Sequence, residues 1–233
     1  MTDLIREIAF DTETTGLDPN GGDRIIEMGA VELENHIPTG RTFRCLINPK
    51  RAVSEATIRI TGITDDMLEG KPYFEDPGVV DAFLDFLGDA TIVAHNASFD
   101  RGFLNMELET CGRPIIPDER WVDTVALARK RFPGAPANLD ALCRRFNVSL
   151  ESRTLHGALL DSQLLADVYL ELLGGRARAF DFSGEAANEQ GALRTAAKPR
   201  PKPLKPLITA KERKAHAAFV EALGDGALWK QGA

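Results

Sequence analysis

Two carboxylates, Asp11 and Glu13, lie in the segment FDTETTG. They follow a run that contains the apolar residues Leu4, Ile5, Ile8, Ala9 and Phe10. Alternate residues of an extended strand face the same side, so both side chains project together from the end of one strand. The apolar run is typical of a central strand that is buried on both faces. Two like charges at this separation repel each other unless a cation lies between them. The competing interpretation is a polar turn in solvent that ends at Gly16.

A third carboxylate, Asp100, lies in the segment AHNASFD. It stands in the first turn of a helix predicted at about residues 98–110, with Asn96 or Ser98 as the N-cap. Taken alone, this is also ordinary chemistry for the start of a helix. The short apolar strand predicted at 91–94 comes just before it. If that strand lies beside the first one, this carboxylate reaches the same end of the sheet as the first two.

A fourth carboxylate, Asp161, lies on the apolar face of a long helix predicted at about 157–173. The apolar residues on that face are Leu164, Leu165, Val168 and Leu172. A carboxylate in an apolar stripe is costly unless it is paired or bound to a metal. His156 precedes the helix and can reach the same site, although a histidine at this place is also common as a surface or capping residue.

Four acids that each end or interrupt an apolar element suggest a cation site, because hard oxygen ligands suit Mg²⁺ or Mn²⁺. A zinc or disulfide framework is not indicated, because the three cysteines are widely spaced and no CxxC pair is present. We expect reduced thiols at Cys45, Cys111 and Cys143.

The elements that must position these acids alternate between strand and helix patterns, which predicts a mixed α/β sheet. Strands are predicted at 4–10, 24–33, 41–47 and 91–94, the first three as an antiparallel meander. Helices are predicted at 78–87, 98–110, 121–131, 138–146 and 157–173.

The net charge of −7 is unevenly distributed, because residues 183–233 carry nine Lys or Arg and five Asp or Glu. The acidic remainder argues against a protein that coats nucleic acid through basic faces. It permits a protein that meets phosphate through divalent cations. No apolar run approaches the roughly 20 residues of a membrane span, and no signal peptide is recognisable, so we expect a soluble cytoplasmic protein.

Composition predicts three parts: a globular domain at 1–180, a flexible Pro/Lys-rich linker at 181–208 and a C-terminal segment at 209–233. Thr209 and Glu212 form a capping box that opens a helix to about residue 223. A short helix followed by an isolated Trp229 cannot bury its apolar surface alone, which favours docking to a partner.

The segments DTETTG, HNASFD and HGALLD, in this order, resemble the three motifs of the DEDDh 3′–5′ exonucleases, in the ribonuclease-H-like superfamily. The resemblance covers roughly residues 4–175, and NLDALC at 138–143 with the tail GALWK is similar to the epsilon proofreading subunits of bacterial DNA polymerase III. It implies a mixed sheet flanked by helices. It also implies removal of mispaired nucleotides from DNA 3′ ends by phosphodiester hydrolysis with two divalent cations, Mg²⁺ or Mn²⁺.

The resemblance also implies individual roles. Asp11, Glu13 and Asp161 would bind the first cation, Asp11 would bridge to the second, and Asp100 would hold the second partly through water. His156 would be the general base. The residues implied in contacts with the terminal nucleotide are Thr12 and Thr14, through the backbone, and Leu17, His95 and Phe99; core packing is an equal alternative for Leu17 and Phe99.

Partners and alternatives follow from the same resemblance. The C-terminal segment would bind the catalytic (alpha) subunit of DNA polymerase III, and Phe180 and Phe182 would contact the sliding clamp, although the Gln that leads the family's clamp motif is missing. Thr61 replaces a His that often contacts nucleotide. The alternatives are an exoribonuclease that trims RNA 3′ ends, which the catalytic residues do not exclude, and a non-catalytic scaffold of a polymerase complex, which retention of every motif residue disfavours.

Overall fold

The computed structural model describes residues 4–150, 155–175 and 209–222. The chain divides into two units, residues 1–183 and 184–233, and each is described by itself. Among the described residues, no helix is both long and apolar enough to cross a membrane.

Five strands of the described residues form one mixed sheet in the order β3-β2-β1-β4-β5. They are β1 (Arg6–Thr14), β2 (Ile25–Glu34), β3 (Ile37–Leu46), β4 (Thr91–Ala94) and β5 (Trp121–Asp123). The first three strands pair antiparallel, whereas β4 is parallel to both β1 and β5. These pairings confirm the predicted meander and place the strand at 91–94 directly beside the first.

Helices cover both faces of the sheet. They are α1 (Glu55–Thr61), α2 (Asp65–Leu68), α3 (Val80–Leu87), α4 (Ala97–Thr110), α5 (Thr124–Arg131), α6 (Leu139–Phe146) and α7 (Ala158–Leu172), with α8 (Ala210–Ala222) in the second unit. Ile8 and Phe10 of β1 belong to the core that α3 and α4 complete. Ala9, between them, belongs to the core of α5, α6 and α7. Strand β1 is therefore buried on both faces, as predicted, but Leu4 and Ile5 precede it and are 68% and 51% exposed.

One predicted helix has the wrong start, and helices α1 and α2 were not predicted. The predicted helix at 121–131 begins with strand β5, because Asp123 ends the strand and accepts a hydrogen bond from the Val125 N–H as the N-cap of α5. Helix α1 was missed, although Ser54 caps its first turn and Gly62 ends it with a φ of 74°. The serine before the first turn and the glycine after the last turn are the signals that could have located α1.

Helix α7 approaches strand β2 closely because position 29 is glycine. A Cβ at Gly29 would collide with the backbone of Ala158 and Leu159. The Ser162 hydroxyl donates to the Gly29 carbonyl over 2.9 Å and fixes the same contact. Since Gly29 is the register partner of Asp11, this contact brings the first turn of α7 over the end of β1.

In the second unit, α8 confirms the predicted capping box. The Thr209 N–H donates to Glu212 Oε2 over 2.8 Å, and the Glu212 N–H donates to Thr209 Oγ1 over 3.3 Å. Phe219 is the large apolar side chain of this helix and is 61% exposed. The whole predicted linker, Phe180, Phe182 and the Trp229 tail lie outside the described residues, so these assignments stay predictions.

Candidate active site

Three parallel strands, β1, β4 and β5, bring their carboxyl ends to one edge of the sheet. The chain leaves β1 toward β2 on one side and later returns to β4 on the other, so the end of β1 is a topological switch point. Ligands of α/β sheets bind in the crevice outside such a point. The site is therefore expected where the motif acids lie.

Asp11 and Glu13 project from the same face at the end of β1, toward α7. Glu13 is 9% exposed, and Asp11 is partly exposed. A register shift between Glu13 and Thr14 ends the regular pairing with β2. The strand therefore holds both carboxylates on a rigid element rather than in a solvated turn.

Asp161 and His156 meet Glu13 at this face. Asp161 is 3% exposed in the first turn of α7, and its Oδ2 lies 3.2 Å from His156 Nδ1. One ligand atom from each of Glu13, His156 and Asp161 lies within 4.8 Å of the others. The His156 side chain is 49% exposed, while its N–H donates to the Ile60 carbonyl over 3.1 Å. The backbone thus fixes the histidine at the solvent side of the acids.

Asp100 lies at β1 but outside this compact group. It is 2% exposed, and its Oδ1 accepts from the Thr12 N–H over 3.0 Å and from the Thr12 hydroxyl over 2.8 Å. Burial raises the pKa of Asp100 to about 7, and the Asp123 carboxylate adds to the rise while the Thr12 hydrogen bonds oppose it. A group so placed gives up its proton readily when a cation arrives.

Glu27 is a buried acid that the sequence reasoning missed. It is the register partner of Glu13 on β2 and is 1% exposed. Its Oε2 accepts from the Ala158 N–H at the start of α7 over 2.9 Å, and its Oε1 lies 2.6 Å from Arg44 Nε on β3. Glu27 therefore ties the first turn of α7, which carries Asp161, to the sheet. A Glu inside the apolar run of β2 was the signal that could have found it.

The residues implied in nucleotide contacts differ in their surroundings. Leu17 is 83% exposed, which leaves it accessible to a substrate. Phe99 packs partly against the core, with its ring centroid 4.9 Å from that of Phe103. Thr12 is engaged with Asp100, and the Thr14 hydroxyl donates to the Gly16 carbonyl over 2.5 Å. The backbone of this segment, rather than its hydroxyls, remains the expected contact.

His95 and Thr61 are held by local hydrogen bonds. His95 Nδ1 lies 2.9 Å from Thr124 Oγ1, and the Thr124 hydroxyl also donates to the Ala94 carbonyl over 3.2 Å. The Thr61 hydroxyl donates to the Thr57 carbonyl over 3.0 Å and accepts from the Ile63 N–H over 3.1 Å. Since its hydroxyl is used within α1, Thr61 does not replace the nucleotide contact expected of a histidine there.

A cleft of about 450 Å³ opens over these residues. Its lining residues are Asp11, His95, Asn138, Leu139, Asp140, Arg144, His156 and Asp161. Its volume is within the range of small-molecule binding sites. Buried carboxylate oxygens at this spacing, with one histidine at the rim, are a donor set that fits hard divalent cations.

The five-stranded mixed sheet flanked by helices, with acids at the end of its central strand, is the ribonuclease-H-like exonuclease fold. The sequence profile of the family described as "Exonuclease" matches residues 8–169. Exonuclease X, solved in complex with 5′ overhanging duplex DNA, is 29% identical, with a TM-score of 0.57 over 73% of this chain and 91% of that one. The nuclease domain of 3′hExo, a DEDDh family member bound to rAMP, shares the fold at 21% identity, with a TM-score of 0.63 over 74% of this chain and 94% of that one.

Two curated relatives extend the match. The DNA polymerase III subunit epsilon of Escherichia coli is 40% identical over 246 aligned positions, covering 98% of this chain and 99% of the relative. The corresponding subunit of Rickettsia conorii is 47% identical, covering 78% of this chain and 80% of that one. The chain therefore belongs to the exonuclease family and, within it, to the epsilon subunits of DNA polymerase III. Divalent-metal dependence is a property of this family.

The raised pKa of Asp100 predicts a pH-dependent stability. Between about pH 4 and pH 7 the folded chain retains a proton that the unfolded chain releases, so the free energy of unfolding falls as pH rises, by at most about 1.4 kcal/mol per unit for one proton. Above pH 7 this contribution is lost and the curve flattens. Urea unfolding of the wild type and of Asp100→Asn, both in EDTA, measures the difference between their free energies of unfolding at each pH.

The matched variant keeps the acceptor for Thr12 but cannot titrate. We expect the difference in unfolding free energy between the two proteins to change across the window from pH 4 to pH 7, and added Mg²⁺ to offset the wild-type loss. A difference that stays constant over that window contradicts the assignment.

Proposed function

We propose that this chain is the proofreading 3′–5′ exonuclease of a replicative DNA polymerase, which removes mispaired nucleotides from DNA 3′ ends. One observation carries the proposal: Glu13, Asp161 and His156 converge at the end of β1 in a cleft that Asp11 also lines. The product would be a nucleoside 5′-monophosphate. Family membership supports the same conclusion independently of the site.

The residues proposed to hold two divalent cations are Asp11, Glu13, Asp100 and Asp161. When bound, such cations supply charge neutralisation for the scissile phosphate and lower the pKa of water. Asp11 and Glu13 contribute a rigid ligand pair, because β1 is fixed on both sides by neighbouring strands. Asp161 contributes from α7, whose position Glu27 and Gly29 determine.

His156 is proposed as the general base. If Nδ1 carries the ring proton and donates it to Asp161, Nε2 is left unprotonated to accept a proton from the attacking water. Its half-exposed position allows the proton to pass on to solvent. Histidine is the side chain that most often serves as a general base in enzymes.

The terminal nucleotide is proposed to lie between the β1 end and α4. The backbone of residues 12–14 would orient the sugar and phosphate by hydrogen bonds. Leu17 would press against the terminal base, which its exposure allows, while His95 and Phe99 would contact the nucleotide from the other side. The same contacts would also accept an RNA 3′ end. Cleavage of RNA is therefore compared with cleavage of DNA to test the exoribonuclease alternative.

The catalytic proposal is tested with labelled oligonucleotides. In Mg²⁺ or Mn²⁺ the full chain should shorten single-stranded and 3′-mismatched DNA from the 3′ end, and do so faster than matched RNA. His156→Ala should lower kcat by about 10²–10⁴, because it removes the base and none of the proposed metal ligands. His216→Ala, which removes an exposed histidine of α8, is the matched control and should leave kcat unchanged.

Each outcome has a distinct meaning. Absence of cleavage in both metals contradicts the enzyme proposal and favours a scaffold. Faster cleavage of RNA than of DNA favours the exoribonuclease alternative. Equal kcat for His156→Ala and the wild type removes the base assignment while leaving the reaction in place.

The domain organisation extends the proposal to partners. We propose that residues 1–180 form the nuclease domain, that 181–208 tether it, and that 209–233 bind the polymerase catalytic (alpha) subunit. The 61% exposure of Phe219 supports a docking role for α8. Sliding-clamp contact through Phe180 and Phe182 remains part of the proposal, without support from the described residues.

Deletion of residues 184–233 should abolish co-purification with the polymerase catalytic subunit and preserve the turnover of single-stranded DNA. In the full chain, Phe219→Ala should weaken the complex at least tenfold, whereas Lys211→Ala, an exposed residue of the same helix, should not. Isothermal titration with the purified catalytic subunit gives both affinities. Undiminished binding by the truncated chain would refute the role of the C-terminal segment.

A further inference from the structure

Five cations collect on two adjacent helix ends of an otherwise acidic chain. Residues 124–150 carry five Lys or Arg and a single acid, Asp140, while the whole chain has a net charge of −7. The cations lie in the last turns of α5 and α6, and all are exposed. The cationic surface, as we name it, consists of Arg129, Lys130, Arg131, Arg144 and Arg145.

Aromatic contacts join the two helix ends into one surface. The guanidinium carbon of Arg145 lies 4.4 Å from the ring centroid of Phe132, which directly follows α5. Phe132 in turn packs on Phe146 at the end of α6, with centroids 5.9 Å apart. Cations from separate helices are therefore neighbours in space, held by packed rings rather than by carboxylates.

Arg131 differs from the other four cations. Its guanidinium donates to the carbonyls of Glu171 and Leu172 at the end of α7, the latter over 2.7 Å. It therefore has a structural role in holding α5 against α7. The four other cations are exposed, and a partner could engage them even though Arg145 also lies over Phe132 and Arg144 lies near Asp140.

The cationic surface begins at the rim of the cleft. Arg144 lines the cleft together with His156 and Asp161. Its Nη2 lies 3.8 Å from Asp140, one helical turn earlier, which is a long and exposed ion pair worth little in water. Asn138 caps the same helix at the cleft through a 2.8 Å bond from the Ala141 N–H. Helix α6 thus leads from the acids outward to the basic residues.

We propose that the cationic surface binds the phosphate backbone of the substrate strand 5′ of the scissile bond. The inference rests on the proposed function. The protein is acidic overall and therefore repels the phosphates of a nucleic acid strand. Basic residues along the approach to the cleft would offset this repulsion. Arg144 would contact the phosphate nearest the cleft, and Arg145, Arg129 and Lys130 would contact those further along the strand.

Cations in the last turn of a helix also stabilise the helix itself through its dipole. That role predicts a lower melting temperature on neutralisation and no effect on substrate binding. An acidic protein could also bind the cationic surface, because it carries negative charge as the nucleic acid strand does. Both differ from strand binding because neither of them raises KM for a single-stranded substrate when the cations are neutralised.

The test compares two substrates in the full chain. The p-nitrophenyl ester of thymidine 5′-monophosphate has no upstream phosphate, whereas a 12-nucleotide single strand has several. Arg129→Gln/Lys130→Gln should leave kcat and KM for the ester unchanged and raise KM for the strand about tenfold at low salt. The slope of log KM against log salt concentration should fall by about 1.4, since each single-strand phosphate contact contributes about 0.7.

Two further variants serve as controls. Lys50→Gln/Lys71→Gln makes the same charge change at two exposed lysines on other parts of the nuclease unit and should have little effect on the strand. Arg129→Lys keeps the charge and should behave as the wild type.

Three results would overturn the proposal. They are an unchanged KM for the strand, an equal rise in KM in the Lys50/Lys71 variant, and a lower melting temperature with strand KM unchanged. Loss of polymerase binding with strand KM unchanged would assign the surface to an acidic protein instead. Failure of the wild type to hydrolyse even the ester contradicts the proposed function itself, so the two failures are distinguishable.

Discussion

The mutual repulsion of carboxylates at the end of β1 is the constraint around which the nuclease unit is organised. Glu13, Glu27 and Asp161 are all buried near one another, and Coulomb repulsion grows as water is excluded. The chain offsets part of it with Arg44 and the Ala158 N–H on Glu27 and with His156 at Asp161. A divalent cation is the remaining group that turns this arrangement from costly to favourable.

Close packing brings the acids together at the end of β1. Gly29 lets the backbone of α7 lie directly on β2, opposite Asp11, and Ser162 and Glu27 fix it there. Parallel pairing of β4 with β1 brings the start of α4, and Asp100, to the same edge. Acids from three distant parts of the sequence are therefore held on rigid elements at one edge of the sheet, which a metal-dependent hydrolytic site would require.

Much of this was predictable from the sequence because local periodicity reports burial. The apolar run before Asp11 indicated a central strand, and the stripe around Asp161 indicated an inward-facing acid; both were correct. Strand β5 was not predictable in the same way, because a strand of three residues that ends in the capping Asp123 is too short to show a period. Glu27 and Gly29 became meaningful only when the register with β1 was known, since their roles depend on the opposite strand and on α7.

The central claim is that the acids at the end of β1 hold two divalent cations. Isothermal titration of the full chain with Mn²⁺, in the presence of saturating thymidine 5′-monophosphate, measures their number directly. The account predicts two Mn²⁺ per chain in the wild type and fewer than two in Asp161→Asn, with His156→Ala retaining both. A wild-type chain that binds no Mn²⁺, or an Asp161→Asn variant that still binds two with unchanged affinity, would contradict it.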